Sequence, residues 1–176
     1  MYNESKVEKF IVFKIAYYRI ALLINDVMKV VNCSSIAKKE ILTLGLAHIG
    51  RHTIKVLDLH DYLDREIQNP MSLQANNLSQ KNATEGFLVI VRNLDRHFCG
   101  IWVDQPPDLL ELPDEMMRSL PKSARQPKTL LDLVSHAAVL SRNGVTNTIF
   151  LLDVEQVLNL AINDSHSLAL KDARYR

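Results

Sequence analysis

The sequence has few cysteines, few glycines and almost no net charge, and each shortage excludes a class of function. Among its 176 residues are two cysteines, Cys33 and Cys99, and five glycines. With no secretory signal expected, both cysteines are predicted to be reduced core thiols and not a disulfide. The glycines form neither a Gly-x-Gly-x-x-Gly motif nor a P-loop, so no phosphate-binding loop is expected. A formal net charge of +1 favours neither nucleic acid nor an anionic membrane as a partner.

Aromatic residues are also scarce, at 6% of the chain, and they are not interleaved with basic residues as in a nucleic-acid-binding groove. The basic residues of the first third are expected to form a solvated face that nearby carboxylates balance. They are Lys38, Lys39, Arg51, His52 and Lys55, set against Asp58, Asp61 and Asp64.

Long apolar runs are missing as well. The longest, residues 10–24, is interrupted by Lys14 and Arg19, which argues against a transmembrane helix. The first ten residues carry Glu4 and Glu8 and lack the apolar segment of a secretory signal. We therefore expect a cytoplasmic protein without direct membrane insertion.

What the sequence does contain is a series of short apolar runs rich in β-branched residues, with turn residues between them. Hydrophobic residues make up 47% of the chain, which is ample for a globular core. The predicted strands are residues 10–15, 20–24, 45–49, 53–57, 87–91, 98–103, 134–140 and 148–152. Many short strands at hairpin spacing favour small barrels over a parallel α/β sheet.

An internal match organises these strands into two parts. Residues 53–63 and 148–158 share Thr-Ile-x-x-Leu-Asp-x-x-x-x-Leu, and each aspartate can cap a following helix. Asp58 is expected to begin a helix that reaches Ile67. Asp153 is expected to begin a final helix, with Gln156 completing a capping box. The match suggests two related β halves, each ending in a strand, an aspartate cap and a helix.

The predicted organisation is a single domain over residues 1–176. Its parts are a first barrel half at 9–67, a polar linker at 68–85, a second half with its helix at 86–160, and a C-terminal tail at 161–176. Five of the six prolines fall between Pro106 and Pro127, so that stretch is expected to be an extended excursion with at most a helical turn near Glu115.

Several segments, taken in order, resemble the CheW-like domain family. They include Ile20-Ala-Leu-Leu-Ile-x-x-Val-x-x-Val-Val31, the run from Gly45 to Leu59, and Gly100-Ile-Trp-Val-Asp104. The resemblance extends from Phe10 to Leu158 and implies a mainly β fold of two five-stranded SH3-like barrel halves packed around a shared core. It also implies a non-catalytic adaptor, without cofactor or metal, that couples a chemoreceptor to a CheA-type histidine kinase in chemotaxis, phototaxis or pilus motility.

The resemblance places the protein-interaction surface in two segments. The residues concerned are Val27, Lys29 and Val30 in one, and His48, Ile49, Gly50 and Arg51 in the other. Their partners would be the cytoplasmic tip of the receptor and the regulatory domain of the kinase. Location at membrane-associated receptor arrays would follow, and self-association within such arrays is left open.

This chain departs from the family pattern within those segments. Gly50-Arg51 stands where the family usually has Arg-Gly, and Lys29 where it often has an acidic residue. His48 and Lys55 replace the usual Asn and Pro. Arg51 either still reaches the same partner, because the adjacent glycine leaves the turn pliable, or it points to the opposite face of the hairpin.

The alternatives to an adaptor are a small-molecule or nucleotide-sensing module on the same fold, and a hydrolase built on Asp58 and His60. The hydrolase requires an acid and a nucleophile that converge on His60. His48 and His52 are four residues apart, but Gly50 lies between them and a third metal ligand is not evident. Trp102 alternates with apolar neighbours in a predicted strand, which favours a place in the core.

Overall fold

The computed structural model describes residues 6–64, 85–125, 127 and 129–172. These residues form eleven β-strands and three α-helices. The strands are β1 (Val7–Ile15), β2 (Tyr18–Leu23), β3 (Val27–Cys33), β4 (Leu46–Ile49), β5 (His52–Leu57), β6 (Gly86–Arg92), β7 (Phe98–Val103), β8 (Asp108–Pro113), β9 (Arg118–Ser119), β10 (Val134–Arg142) and β11 (Val145–Leu152). The helices are α1 (Ser35–Leu44), α2 (His60–Asp64) and α3 (Val154–Asp172).

The strands form two curled sheets. One has the order β8-β1-β2-β11-β10-β9 and the other the order β3-β6-β7-β5-β4. The predicted fold class, mainly β with two half-barrels and short helices, is confirmed. The first sheet has six strands where five were predicted, the sixth being the two-residue β9.

The predicted boundaries of the two halves are wrong, because the halves exchange strands. β1 and β2 lie in the sheet of the C-terminal strands, where β2 runs parallel to β11. β6 and β7 complete the sheet of β3–β5, where β7 runs parallel to β5. The segments 9–67 and 86–160 are therefore not separate halves. Strand periodicity specifies which face of a strand is buried, but not which other strand it pairs with.

The buried apolar residues form three clusters. The five-stranded half encloses one of them, which includes Trp102, Leu88 and Ile54. The six-stranded half encloses another, which includes Phe10 and Ile149. The third and largest lies between the halves, so the predicted shared core is present. Its members include Phe13, Ile15, Ile20, Leu22, Val89, Ile101, Leu133 and Val157.

Several local predictions are confirmed. The hairpin between β10 and β11 turns at Asn143 and Gly144, both of which have positive φ angles. Asp153 Oδ1 accepts hydrogen bonds from the backbone N–H groups of Glu155 and Gln156 at the start of α3. Asp58 Oδ1 accepts from the backbone N–H of His60, where α2 begins. The end predicted for α2, at Ile67, lies outside the described residues.

Other local predictions need correction. The proline-rich stretch contains a regular strand, β8, which pairs antiparallel with β1. Its prolines do not interrupt this pairing, because Pro113 lies at the last position of the strand. The helix α3 continues to Asp172, so most of the segment predicted as a C-terminal tail is helical. The linker predicted at 68–85 lies outside the described residues, except for Glu85.

The helix α1 was not predicted, although its two end signals are in the sequence. The Ser34 side chain accepts a hydrogen bond from the backbone N–H of Ala37, and Gly45 ends the helix in a left-handed conformation. These two residues are the ordinary signals of a helix start and a helix stop. This helix carries Lys38.

Both cysteines are buried and free, as predicted. Burial raises the pKa of the Cys99 thiol to about 12 and also raises that of Cys33. Within the described residues, no helix is long and apolar enough to cross a membrane.

Candidate functional site

The first predicted interaction segment lies on β3, a terminal strand of the five-stranded sheet. A register shift between Val27 and Lys29 places a bulge at Met28. Because of this bulge, Val27 and Val30 both point to one face of the sheet, although they are three residues apart. Their cross-strand partners on β6 are Val91 and Val89, which belong to the shared core. Val27 and Val30 therefore continue the surface of the shared core toward solvent.

Lys29 points to the opposite face of β3. Its partner on β6 is Ile90, which belongs to the core enclosed by the five-stranded half. The side chains of Met28, Lys29 and Val30 are exposed, and Val30 retains 37% of its accessible area. The segment thus presents one cation beside apolar side chains that no described element covers fully.

The beginning of β3 adjoins an acidic group at the start of α3. Burial raises the pKa of Asp26, and the nearby charges of Glu155 and Asp153 raise it further. The start of β3 therefore lies near the carboxylates at the start of α3.

The second predicted segment is the hairpin of β4 and β5. Ile49 and His52 form its last cross-strand pair, so Gly50 and Arg51 are the two residues of the turn. Gly50 has a φ of +61°, whereas Arg51 does not have a positive φ. Glycine first and a second residue with negative φ is the order of a type II′ turn, whose twist suits a β-hairpin. The Gly50-Arg51 order therefore matches the backbone here.

The opposite-face orientation left open for Arg51 is not the one observed, whereas its reach to the same partner stays a prediction. Arg51 lies in the turn, beyond the paired ladder, and is exposed. It is thus on neither face of the hairpin and projects from its end. The space around Gly50 is open, since a Cβ there would have no atom within 4 Å apart from those of its chain neighbours.

The two histidines of this hairpin point to opposite faces. His48 lies opposite Thr53, and its Nδ1 is 3.0 Å from Thr53 Oγ1. His52 lies opposite Ile49 and packs edge-on against the ring of Phe98, with centroids 5.9 Å apart. The hairpin therefore does not bring the two imidazoles together as metal ligands. Among the described residues, no group of three or more His, Cys, Asp or Glu side chains is placed to hold a metal ion.

The two predicted segments are at opposite ends of the strand order of one sheet, since β3 and β4 are its terminal strands. Within them, Val27 and Val30 share a face, and Gly50 and Arg51 share a turn. Lys29 and His48 point elsewhere. The surface is thus two patches on the five-stranded half.

A group that sequence analysis missed lies around Asp104, at the end of β7. Asp104 Oδ1 is 3.0 Å from Lys38 Nζ and accepts a hydrogen bond of 3.2 Å from Trp102 Nε1. Its Oδ2 is 3.6 Å from His60 Nε2, and the other ring nitrogen of His60 is 2.7 Å from Asp58 Oδ1. We call these five residues the Asp104 network.

The network perturbs the pKa of its central carboxyl. Burial alone would raise the pKa of Asp104, but hydrogen bonds from Lys38 and Trp102 and the charges of Lys38 and His60 outweigh burial and lower it. Lys38 Nζ also lies 5.6 Å from the centroid of the Trp102 ring, a cation–π distance. Lys38 is therefore turned toward this network and is not part of the solvated basic face predicted for it.

The same geometry bears on the hydrolase hypothesis. Two carboxylates do converge on His60, whose side chain is only 15% exposed. Asp104, however, is engaged by Lys38 and Trp102, and Asp58 by the backbone N–H of His60. These contacts are ion pairs and hydrogen bonds that join α1, α2 and β7 to one another. Such an arrangement is typical of a structural role and not of a hydrolase site. Trp102 itself is 1% exposed, which confirms its place in the core.

Comparison with known proteins agrees with this architecture. A sequence model of the CheW-like domain family matches residues 9–161. In solved structures, the chain is similar to the crystal structure of scaffolding protein TtCheW from Thermoanaerobacter tengcongensis, with a TM-score of 0.54 and 16% identity. That match covers 87% of this chain and 88% of the other. No curated protein sequence matches the chain.

Proposed function

The chain belongs to the CheW-like domain family, and on that premise we propose that it is a non-catalytic adaptor between a chemoreceptor and a CheA-type histidine kinase. Its partners are the helical cytoplasmic tip of the receptor and the regulatory domain of the kinase. Such an adaptor acts by binding its partners through its surface, and not through catalytic groups. It belongs at membrane-associated receptor arrays, where self-association would be a further contact.

The observation that carries the proposal is the exposed face of β3. Val27 and Val30 extend the shared core to solvent on a terminal strand. An apolar surface of this kind suits the apolar stripe of an amphipathic helix, which is the surface that a helical receptor tip offers. A few such aliphatic anchors, once desolvated, supply most of the binding energy of an interface.

The hairpin of β4 and β5 supplies a second, charged contact. Arg51 projects from its turn, and Lys29 is an exposed cation on the face of β3 opposite Val27 and Val30. Charges at the rim of an interface select a partner and accelerate association more than they add affinity. We therefore propose that both cations select a partner surface with complementary acidic residues.

Charge reversal tests this assignment. Arg51→Glu and Lys29→Glu should each weaken capture of a purified receptor-tip or kinase-regulatory fragment by about tenfold or more, because like charges would then face the partner's acidic residues. The melting temperature should not fall, since both side chains are exposed. Binding is measured by titration calorimetry at physiological ionic strength.

Arg142→Glu is the matched control, because Arg142 is also an exposed arginine next to a hairpin turn but lies on the other sheet. It should bind as the unmodified protein does. Unchanged binding in both test variants would remove Lys29 and Arg51 from the interface. A thermal shift with nucleotides and no capture of either fragment would favour the sensing module.

A further inference from the structure

The Asp104 network joins three elements that are separate in the sequence. Lys38 comes from the first half of α1, Asp104 follows the last residue of β7, and His60 is the first residue of α2. The side chains of Lys38, His60 and Asp104 retain 20%, 15% and 32% of their accessible area. The contacts are thus partly shielded from solvent, and screening weakens them less than it weakens a surface pair.

The imidazole of His60 lies between two carboxylates. Its Nδ1 is 2.7 Å from Asp58 Oδ1, and its Nε2 is 3.6 Å from Asp104 Oδ2. A neutral imidazole carries a proton on only one of these nitrogens, so its other nitrogen would turn a lone pair toward an oxygen anion. The imidazolium carries protons on both, so it can donate a hydrogen bond to Asp58 and form an ion pair with Asp104. The geometry therefore suits the charged form.

The charges around His60 favour the same form. Asp58 and Asp104 contribute two negative charges, and Asp61 adds another on α2 itself, where it is exposed. Lys38, on α1, contributes one positive charge, which Asp104 Oδ1 already binds. Protonation of His60 therefore adds a second positive charge to this group of carboxylates.

We propose that His60 forms a protonation-dependent contact. In its charged form it holds α2 against the end of β7 and thereby against α1. Histidine ordinarily titrates near pH 6.5, within the range of intracellular pH. Lowering the pH from 8 to 6 strengthens the contact between His60 and Asp104, and raising the pH weakens it. The proposal stands whether or not the adaptor function does, since it concerns a contact within the chain.

Trp102 makes the state of the network observable. It is the only tryptophan in the chain, and its indole N–H donates to the same Asp104 carboxylate that faces His60. Indole emission responds to nearby charge and to hydrogen bonding of its N–H, so Trp102 should report the protonation of His60.

The test combines histidine NMR with fluorescence on the full chain. Following the ring signals between pH 5 and 9, the titration midpoint of His60 should lie above that of the exposed His97. The emission of Trp102 should change with the same midpoint as His60. His60→Gln should abolish that change, whereas the matched control His48→Gln should retain it.

Two results would overturn the proposal. One is a His60 midpoint equal to or below that of His97, measured on the unmodified protein and thus independent of any folding defect in a variant. The other is a Trp102 emission that has the same pH dependence in His60→Gln as in the unmodified chain. Receptor or kinase binding is measured separately, so failure of the adaptor proposal does not affect either result.

Discussion

The position of Trp102 depends on a residue that has no side chain. The ring lies over Gly86 on the neighbouring strand β6, and a Cβ built on Gly86 would be 2.0 Å from Trp102 Cζ2. No real Cβ approaches a ring carbon so closely, and the buried ring has little room to move. Gly86 therefore determines where the indole lies, and with it the donor that reaches Asp104.

Gly86→Ala should lower the free energy of unfolding by about 3 kcal/mol, the upper end of the range for overpacking a core. Gly50→Ala is the matched control, because its Cβ meets open space and only its positive φ is strained. Its expected loss is about 1 kcal/mol. Both are measured by urea denaturation monitored by fluorescence. An equal or smaller loss for Gly86→Ala would contradict the packing argument.

At the scale of strands and helices, the Asp104 carboxylate contacts side chains from three different elements. Asp104 holds Lys38 of α1, the indole at the end of β7 and the imidazole of α2. Because these partners keep the pKa of Asp104 below its ordinary value, the folded chain binds this proton less readily than the unfolded chain does. The stabilisation is therefore complete above the ordinary carboxyl pKa of about 3.9 and is lost as the pH falls through the lower folded value.

Asp104→Asn should accordingly be less stable than the unmodified chain at pH 7, by an amount that shrinks as the pH is lowered from 5 toward 2. Chemical denaturation at a series of pH values measures the difference. Asp108→Asn is the control, since Asp108 is an exposed aspartate at the start of β8. A gap between Asp104→Asn and the unmodified chain that is constant with pH would show that the ion pairs contribute nothing.

In the whole molecule, the exchange of strands makes the two halves dependent on each other. β1 and β2 precede the entire five-stranded sheet in the chain, yet they pair with strands that follow it. The shared core combines residues such as Ile20 from one half and Val89 from the other. Neither half can unfold alone without exposing that core, so we expect a single cooperative transition.

Ile149→Ala tests this expectation from the side remote from Trp102. Ile149 is buried inside the six-stranded half, and its truncation should cost about 2–5 kcal/mol. Trp102 fluorescence, which reports on the other half, and far-UV circular dichroism should shift together. Val139→Ala, on the same sheet but 58% exposed, should change stability by less than about 0.5 kcal/mol. Two separate transitions in Ile149→Ala would contradict the shared-core argument.

Local chemistry made part of this protein predictable. Alternating apolar residues identified most strands, Asn143-Gly144 identified a hairpin turn, and Asp58 and Asp153 identified two helix starts. Each of these features depends on backbone conformation and on neighbours within a few residues. The helix α1 belongs to the same class, and Ser34 with Gly45 would have identified it.

The amino-acid sequence by itself determined the mainly β class, the turns, the helix caps and the buried thiols, because short-range sterics and hydrophobic patterning specify them. Only the tertiary structure decided which strands share a sheet, since every strand edge offers the same backbone donors and acceptors. It also decided that the bulge at Met28 turns Val27 and Val30 to one face, and that Arg51 projects from the end of its hairpin. The Asp104 network depends on contacts between residues as much as 66 positions apart, as for Lys38 and Asp104, and no local pattern encodes such contacts.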